Sequence, residues 1–221
     1  MIGELLPHAV HSSETRTDHP EAGALFPQEE SLLKKAVAKR RNEFRTVRVC
    51  ARLAMADLGL PPVPVLRGPR GEPQWPDGVV GSMTHCDGYR AAAVARAEDI
   101  RALGIDAEPH GPLPEGVLDV IALPSEQARV ARDRRDGGIH WDRLLFSAKE
   151  SVFKAWYPVT GVDLGFRDAD LAFRPAAGAA TRGVFSARLL RPVPGAQEEF
   201  EGQWLVRDGL ALTAVVIPAA R

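Results

Sequence analysis

The chain has 221 residues, 45% of them apolar and 26% charged, with a formal charge of −1. That length and balance allow one or two modest cores and exclude collagen-like and wholly disordered chains. No run approaches the roughly 18 apolar residues of a membrane-spanning helix, and Met1–His11 lacks the basic flank and long apolar stretch of a secretory signal, so a cytoplasmic protein is expected. Cys50 and Cys86 are too few for a disulfide framework or a four-ligand zinc site and read as packing thiols. Cations are supplied by 23 arginines and only five lysines. Such a bias suits phosphate or carboxylate recognition. A GC-rich genome would produce the same bias.

The first 27 residues, with Pro7, Pro20 and Pro27 among small and polar residues, predict an irregular lead-in with at most one short helix or strand. From Gln28 to Leu58 no proline or glycine intervenes, and Phe44, Val47, Cys50, Ala51, Ala54 and Leu58 share a helical face, which predicts one long helix or two abutting ones. Gly59–Pro64 ends it. Val63–Leu66 reads as a short strand before a loop at Gly68–Pro76. Val79–His85 and Tyr89–Arg96 read as strands paired around Asp87–Gly88, followed by a third strand at Ile100–Glu108. Pro109, Pro112 and Pro114 force a loop before short helices at Glu115–Ile121 and from Pro124–Ser125. Trp141–Trp156 keeps a helical period through Leu144, Leu145, Ala148, Val152 and Ala155. Leu171–Phe173, Arg182–Leu190, Phe200–Arg207 and Leu210–Ile217 are strand-like, the last two joined at Asp208–Gly209. This is an α+β plan with a break near residue 100.

Four constellations could carry chemistry. Asp106 and Glu108 flank Ala107 near a strand end, so their carboxylates share a face roughly 6.6 Å apart and suit a hard divalent cation. A solvated strand end is the plainer alternative. Glu150 and Lys154 fall one helical turn apart within Ser147-Ala148-Lys149-Glu150, where a capping box or an ordinary surface pair would look the same. Arg41, Arg45, Arg48 and Arg52 occupy an arc of roughly 60° on one helix, with Arg40 at its edge. Guanidinium groups so placed repel each other unless an anion or acids such as Glu43 lie between them, which leaves a polyphosphate guest or internal salt bridges. No aromatic stacking set accompanies them, so nucleic acid is the weaker reading. Finally, Gly81 through Gly88 place Thr84 and His85 among small residues, where a phosphate could approach. A structural histidine is the alternative.

Taken in order, these segments resemble the 4′-phosphopantetheinyl transferases of the surfactin- and enterobactin-synthetase type, closest to actinobacterial members. The likeness runs through Ala38-Lys39-Arg40-Arg41-Asn42-Glu43-Phe44 with Arg48 and Arg52, Gly68–Pro76, Gly81-Ser82-Met83-Thr84-His85, Gly104-Ile105-Asp106-Ala107-Glu108-Pro109, and Trp141 through Trp156 with Lys149-Glu150 and Lys154, and covers roughly residues 28–217. It implies a monomer of two pseudo-twofold-related subdomains, 1–100 and 101–221, each a helix packed on a small, mainly antiparallel sheet, with coenzyme A bound between them. It implies Arg40, Arg48, Thr84 and His85 at the phosphates of coenzyme A, Asp106, Glu108 and Glu150 around Mg²⁺, and Lys149 and Lys154 facing the pyrophosphate. Many relatives carry a basic residue where this chain has Glu72, so that duty passes to Arg67 or Arg70. The implied activity moves the 4′-phosphopantetheine arm of coenzyme A to a serine of apo acyl or peptidyl carrier proteins serving polyketide, nonribosomal peptide or siderophore synthesis, with Glu150 as base or as metal ligand. Leu113, Val117, Leu118, Ile121 and Leu123, with Arg129 and Arg132, are candidates for carrier docking. Rival readings are a non-catalytic coenzyme A binder and a Mg²⁺-dependent nucleotide hydrolase.

Overall fold

The computed structural model describes residues 1–18, 24–133, 138–191 and 193–220. In chain order it contains a 3-10 turn Ile2–Leu5, β1 Val10–Thr15, α1 Pro27–Ser31, α2 Ala38–Asp57, β2 Leu66–Arg67, β3 Pro73–Gln74, β4 Val79–Cys86, β5 Tyr89–Arg96 and β6 Ile100–Pro109. There follow α3 Val117–Ile121, α4 Pro124–Asp133, α5 Trp141–Thr160, a 3-10 turn Phe166–Asp168, β7 Ala169–Ala176, β8 Ala179–Leu189, β9 Glu199–Arg207 and β10 Leu210–Pro218.

The strands form an antiparallel sheet ordered β1-β5-β4, a second ordered β6-β10-β9-β8-β7, and the small ribbon β2-β3. Three cores stack these into the order helix, sheet, sheet, helix. Cys50, Ala51, Ala54 and Met55 of α2 pack on Ala92 and Val94 of β5. On the opposite face of β5, Tyr89, Ala91, Ala93 and Ala95 meet Leu103, Ile105 and Ala107 of β6 and Leu210, Leu212 and Ala214 of β10. Beyond the second sheet, Leu144, Leu145, Ala148, Val152 and Trp156 of α5 pack on Phe185, Trp204 and Val215. The alanine run of β5 follows from this stacking, since a strand covered on both faces has room for only small side chains when its neighbours approach closely.

Two features fix how α5 and β6 meet. Gly104 leaves no space for a side chain, because a Cβ there would lie 1.9 Å from the Ser151 carbonyl oxygen. Then the β6 edge that is not paired with β10 is satisfied by hydroxyls rather than by a strand: Ile105 N–H donates to Ser82 Oγ at 3.0 Å and Ala107 N–H to Thr84 Oγ1 at 3.1 Å. Buried backbone donors require such partners. β4 thereby sets the height of Asp106 relative to the rest of the first sheet.

Of the two arrangements expected for residues 28–58, one long helix or two, the structure has two, α1 and α2, which do not abut but are separated at residues 32–37. β1 was expected at most as a short element. It pairs with β5 from Val10↔Ala95 to Thr15↔Arg90, and its polar Ser-Ser-Glu-Thr run suits an edge strand. α5 continues past Trp156 and through Pro158 to Thr160, where Gly161 ends it in the left-handed region at φ 63°. Asp208 and Gly209, at φ 50° and 77°, form the hairpin turn expected of them. Among the described residues no helix is long and apolar enough to cross a membrane.

Candidate active site

A cavity of about 230 Å³ opens between α2, the 67–73 loop, β4 and α5. Its walls carry five cationic side chains, Arg40, Arg48, Arg67, Arg70 and Lys154, against three carboxylates, Glu43, Glu72 and Glu150. Phe44, Val47, Met83, Phe153 and Tyr157 supply apolar surface between them. A hollow so lined accepts a ligand with a flat apolar part and several negative charges.

On the α2 side the cations are held by acids. Glu29, fully buried, receives N–H bonds from Phe26 and Val65 and pairs with Arg52 at 3.1 Å and Arg48 at 3.5 Å. Arg48 also donates through Nε to the Val65 carbonyl at 2.9 Å and lies over the Phe44 ring. Burial, and then the nearby charges of Arg67, Arg52 and Arg40, lower its pKa to about 9 against the support of Glu29, so it stays charged at neutral pH. Glu43 sits among three cationic or titratable groups, 3.6 Å from Arg40, 3.8 Å from His85 Nε2 and 3.6 Å from Arg90. Arg40 Nη1 contacts His85 Nε2, which must accept and therefore belongs to a neutral ring. Burial and the Arg40 charge push the His85 pKa down to about 4.

The α5 side is built differently. Glu150, Phe153, Lys154 and Tyr157 project from one helix face into the cavity. Lys154 Nζ reaches Asp106 Oδ1 at 2.7 Å and the Ile105 carbonyl at 3.3 Å. Burial works against the ammonium, but Asp106 and Glu150 outweigh it and raise its pKa. Glu150 and Glu108 are both shifted upward, first by burial and then by Asp106, with Lys154 opposing at Glu150 and Arg143 at Glu108. Thr84 donates to Asp106 Oδ1 at 3.2 Å. This arrangement can accept a proton at Glu150 and balance negative charge at Lys154.

The family model for the 4′-phosphopantetheinyl transferase N-terminal domain matches residues 28–95, and that for the 4′-phosphopantetheinyl transferase superfamily matches residues 102–213. The chain belongs to the 4′-phosphopantetheinyl transferase superfamily. It is 55% identical to the 4′-phosphopantetheinyl transferase Svp of Streptomyces mobaraensis over 99% of this chain and 90% of the relative. Identity is 49% to Npt of Nocardia iowensis, covering 97% and 99% of the two chains, and 47% to PptT of Mycobacterium tuberculosis, covering 98% of each. Both carry the same transferase name.

Of the residues singled out in the sequence, Arg40, Arg48, Arg67, Arg70, His85, Glu150 and Lys154 line the cavity of this transferase. Thr84 does not. Strand alternation turns it to the opposite face of β4 from His85, where it is 2% exposed and bonded to Asp106 and Ala107. Lys149, expected to face the pyrophosphate, lines not this cavity but a neighbouring hollow that shares Arg70, Glu150 and Phe153 with it. Its ammonium is satisfied by Glu126 at 2.9 Å and by the carbonyls of Phe166 at 2.5 Å and Ala169 at 2.8 Å. The reason is helical: Leu145, Lys149, Val152 and Trp156 fall on the stripe that faces the core. Among the arginines of α2, Arg52 is consumed by Glu29, so internal salt bridges account for part of that arc.

The carboxylates are brought near one another without forming a cage. Among the described residues no three of His, Cys, Asp and Glu lie close enough to hold an ion on their own. Lys154 takes one oxygen of Asp106, and Arg143 takes Glu108 at 2.9 Å. Asp106 Oδ2, however, is buried and accepts no hydrogen bond among the described residues. A buried carboxylate oxygen left in this state fits a hard cation of the kind that binds one or two protein carboxylates and completes its shell with water and substrate phosphate.

The residues considered for carrier docking are largely committed elsewhere. Ile121 is a core residue, Leu113, Val117 and Leu118 pack against the same core, and Arg129 is tied to Asp170 and to the Leu171 carbonyl. Val120, at 70% exposure, is the open apolar side chain of α3. The supports that sequence reading missed are Glu29, Ser82, Glu126 and Arg143, each bonded to a residue more than twenty positions away.

Proposed function

We propose that this transferase moves the 4′-phosphopantetheine arm of coenzyme A onto a serine of apo acyl or peptidyl carrier proteins and releases 3′,5′-ADP. The observation that carries the reading is the Lys154–Asp106 contact beside Glu150, at the foot of a cavity walled by guanidinium groups. Arg40, Arg48, Arg67, Arg70 and His85 hold the phosphates of coenzyme A, and the apolar wall of Phe44, Val47 and Met83 covers the base. The serine oxygen forms a bond to the phosphorus nearest the pantetheine arm while the bond from that phosphorus to the bridging oxygen breaks. Glu150 takes the hydroxyl proton, and burial, by raising its pKa above the ordinary carboxylate value, makes it a stronger base. Lys154 balances the charge left on the terminal phosphate of 3′,5′-ADP. Thr84 and Lys149 act behind these groups, the first by orienting Asp106 and the second by anchoring α5 to the 166–169 segment.

Asp106 and Glu108 are the residues that would hold Mg²⁺ together with substrate phosphate and water, joined by Glu150 if that residue serves as a ligand and not as the base, and a bound Mg²⁺ would supply neutralisation of the diphosphate charge. The chain acts as a cytoplasmic monomer of two units that divide near residue 100, and nucleic acid is not a partner, in keeping with its net charge of −1. Incubation with coenzyme A, Mg²⁺ and an apo carrier protein should add about 340 Da to the carrier by mass spectrometry, as the transferred phosphoryl arm requires. Consumption of coenzyme A with no mass gain on any of a panel of apo carriers would indicate a hydrolase instead.

A further inference from the structure

We propose that Arg143 is a positioning residue that yokes the Glu108 carboxylate to the 110–113 loop, weakening divalent-cation binding at the end of β6 while holding that loop in place. This rests on the reading of Asp106 and Glu108 as cation ligands. Three donors of one guanidinium are committed at once: Nη1 to Glu108 Oε2 at 2.9 Å, Nε to the Gly111 carbonyl at 3.2 Å and Nη2 to the Pro112 carbonyl at 2.8 Å. The fork is planar and rigid, so Glu108 and the loop cannot shift independently of it. The side chains of the pair are only 18% and 19% exposed, where charges are screened less than in open solvent.

The same loop is fastened to the start of α5 twice more, by the His140 N–H on His110 Nε2 at 3.0 Å and by the Leu113 N–H on Asp142 Oδ2 at 3.1 Å. α5 carries Arg143 at its start and Glu150 and Lys154 further along. One stiff element therefore links the loop, Glu108 and the groups at the foot of the cavity. A cation drawn to Glu108 has to share it with a fixed positive charge, and that charge opposes binding.

The two consequences have opposite signs, which a merely structural role would not produce. Arg143→Gln removes the charge and the tethers, so it should tighten Mn²⁺ binding by about threefold to tenfold while the His110, Gly111 and Leu113 amides exchange hydrogen faster. Arg143→Lys keeps the charge without the fork, so Mn²⁺ affinity should stay within about twofold of the parent while the loop still loosens. Mn²⁺ titration of the full chain followed by electron paramagnetic resonance, with Asp106→Asn as the site control, and hydrogen exchange of 110–113 read both effects. Asp106-dependent Mn²⁺ binding that Arg143→Gln leaves unchanged or weakens overturns the inference alone, as does equal tightening by Arg143→Lys or an unchanged loop. Indistinguishable binding by the parent and Asp106→Asn overturns the cation reading and this inference with it.

Discussion

The two twenty-residue helices, α2 and α5, face the same cavity and are supported in opposite ways. On α2 the functional cations lean on acids that themselves belong to the cleft wall or its backing, Glu43 and Glu29. On α5 the charged pair reaches across to β6, where Asp106 is in turn held by a hydroxyl from β4. The first design presents several weakly discriminating donors to an anion. The second fixes one proton acceptor and one ammonium relative to a strand edge. In the proposed mechanism the α2 wall binds and the α5 wall carries the chemistry, and kinetic constants can separate them.

Loss of the proton acceptor should have the largest effect. Glu150→Gln is expected to lower kcat by about a thousandfold or more with little change in circular dichroism, because the amide keeps the shape but takes no proton. Near-parent turnover at saturating Mg²⁺ would remove Glu150 as the base. Lys154→Ala should come next, with a kcat loss of about a hundredfold as the developing charge loses its partner. It also leaves Asp106 with a buried, unpaired charge, so a thermal melt must accompany the rate. If coenzyme A KM rises while kcat holds, Lys154 belongs with the binding wall and the contrast between the two helices fails.

The backing of the binding wall should break in a different way. Glu29→Gln removes the charge that offsets Arg48 and Arg52 in a fully buried setting, at a cost of about 3 kcal/mol to folding. Its enzyme signature, at a temperature where it remains folded, is a raised coenzyme A KM with kcat nearly intact. A matching fall in kcat would mean that α2 positions the reacting atoms as well.

What the sequence disclosed and what it concealed divide along the range of the contacts. Local spacing puts Asp106 with Glu108 on one strand face and Glu150 with Lys154 one helical turn apart, but does not show the contact of Lys154 with Asp106, which joins two distant segments. Lys149 and Glu150 are neighbours in sequence, but one residue of helix turns Lys149 about 100° toward the core stripe, and its pairing with Glu126 has no local signal. Thr84 and His85 posed the same problem in a strand, where adjacent residues face opposite ways. Glu29, Ser82, Glu126 and Arg143 were silent for a different reason. Each answers a backbone group or charge supplied by a distant segment, such as the Val65 N–H, the Ile105 N–H, the Leu171 N–H and Glu108. No local pattern announces a partner of that kind. β1 stays between helix and strand in the sequence because an edge strand with a polar Ser-Ser-Glu-Thr run has no apolar alternation to fix its type.

The smallest effect tests the binding wall through protons. His85 is neutral in the free protein at ordinary pH because burial and Arg40 depress its pKa to about 4. A phosphate placed against Arg40 and His85 reverses the local field and raises that pKa. A group whose pKa rises on binding takes up a proton with the ligand, so its contribution to affinity grows as pH falls through the bound-state pKa and levels off below the free-state value. Coenzyme A phosphates titrate in the same region and act in the opposite direction, so the useful quantity is the difference between the parent and His85→Gln. From about pH 7.5 to about pH 5.5 the parent should gain several-fold in coenzyme A affinity relative to the variant. Calorimetry in buffers of different ionisation enthalpy should also show proton uptake that the variant lacks. Parallel affinity curves for the two proteins would place the phosphates away from His85 and return that residue to a purely structural role beside Glu43.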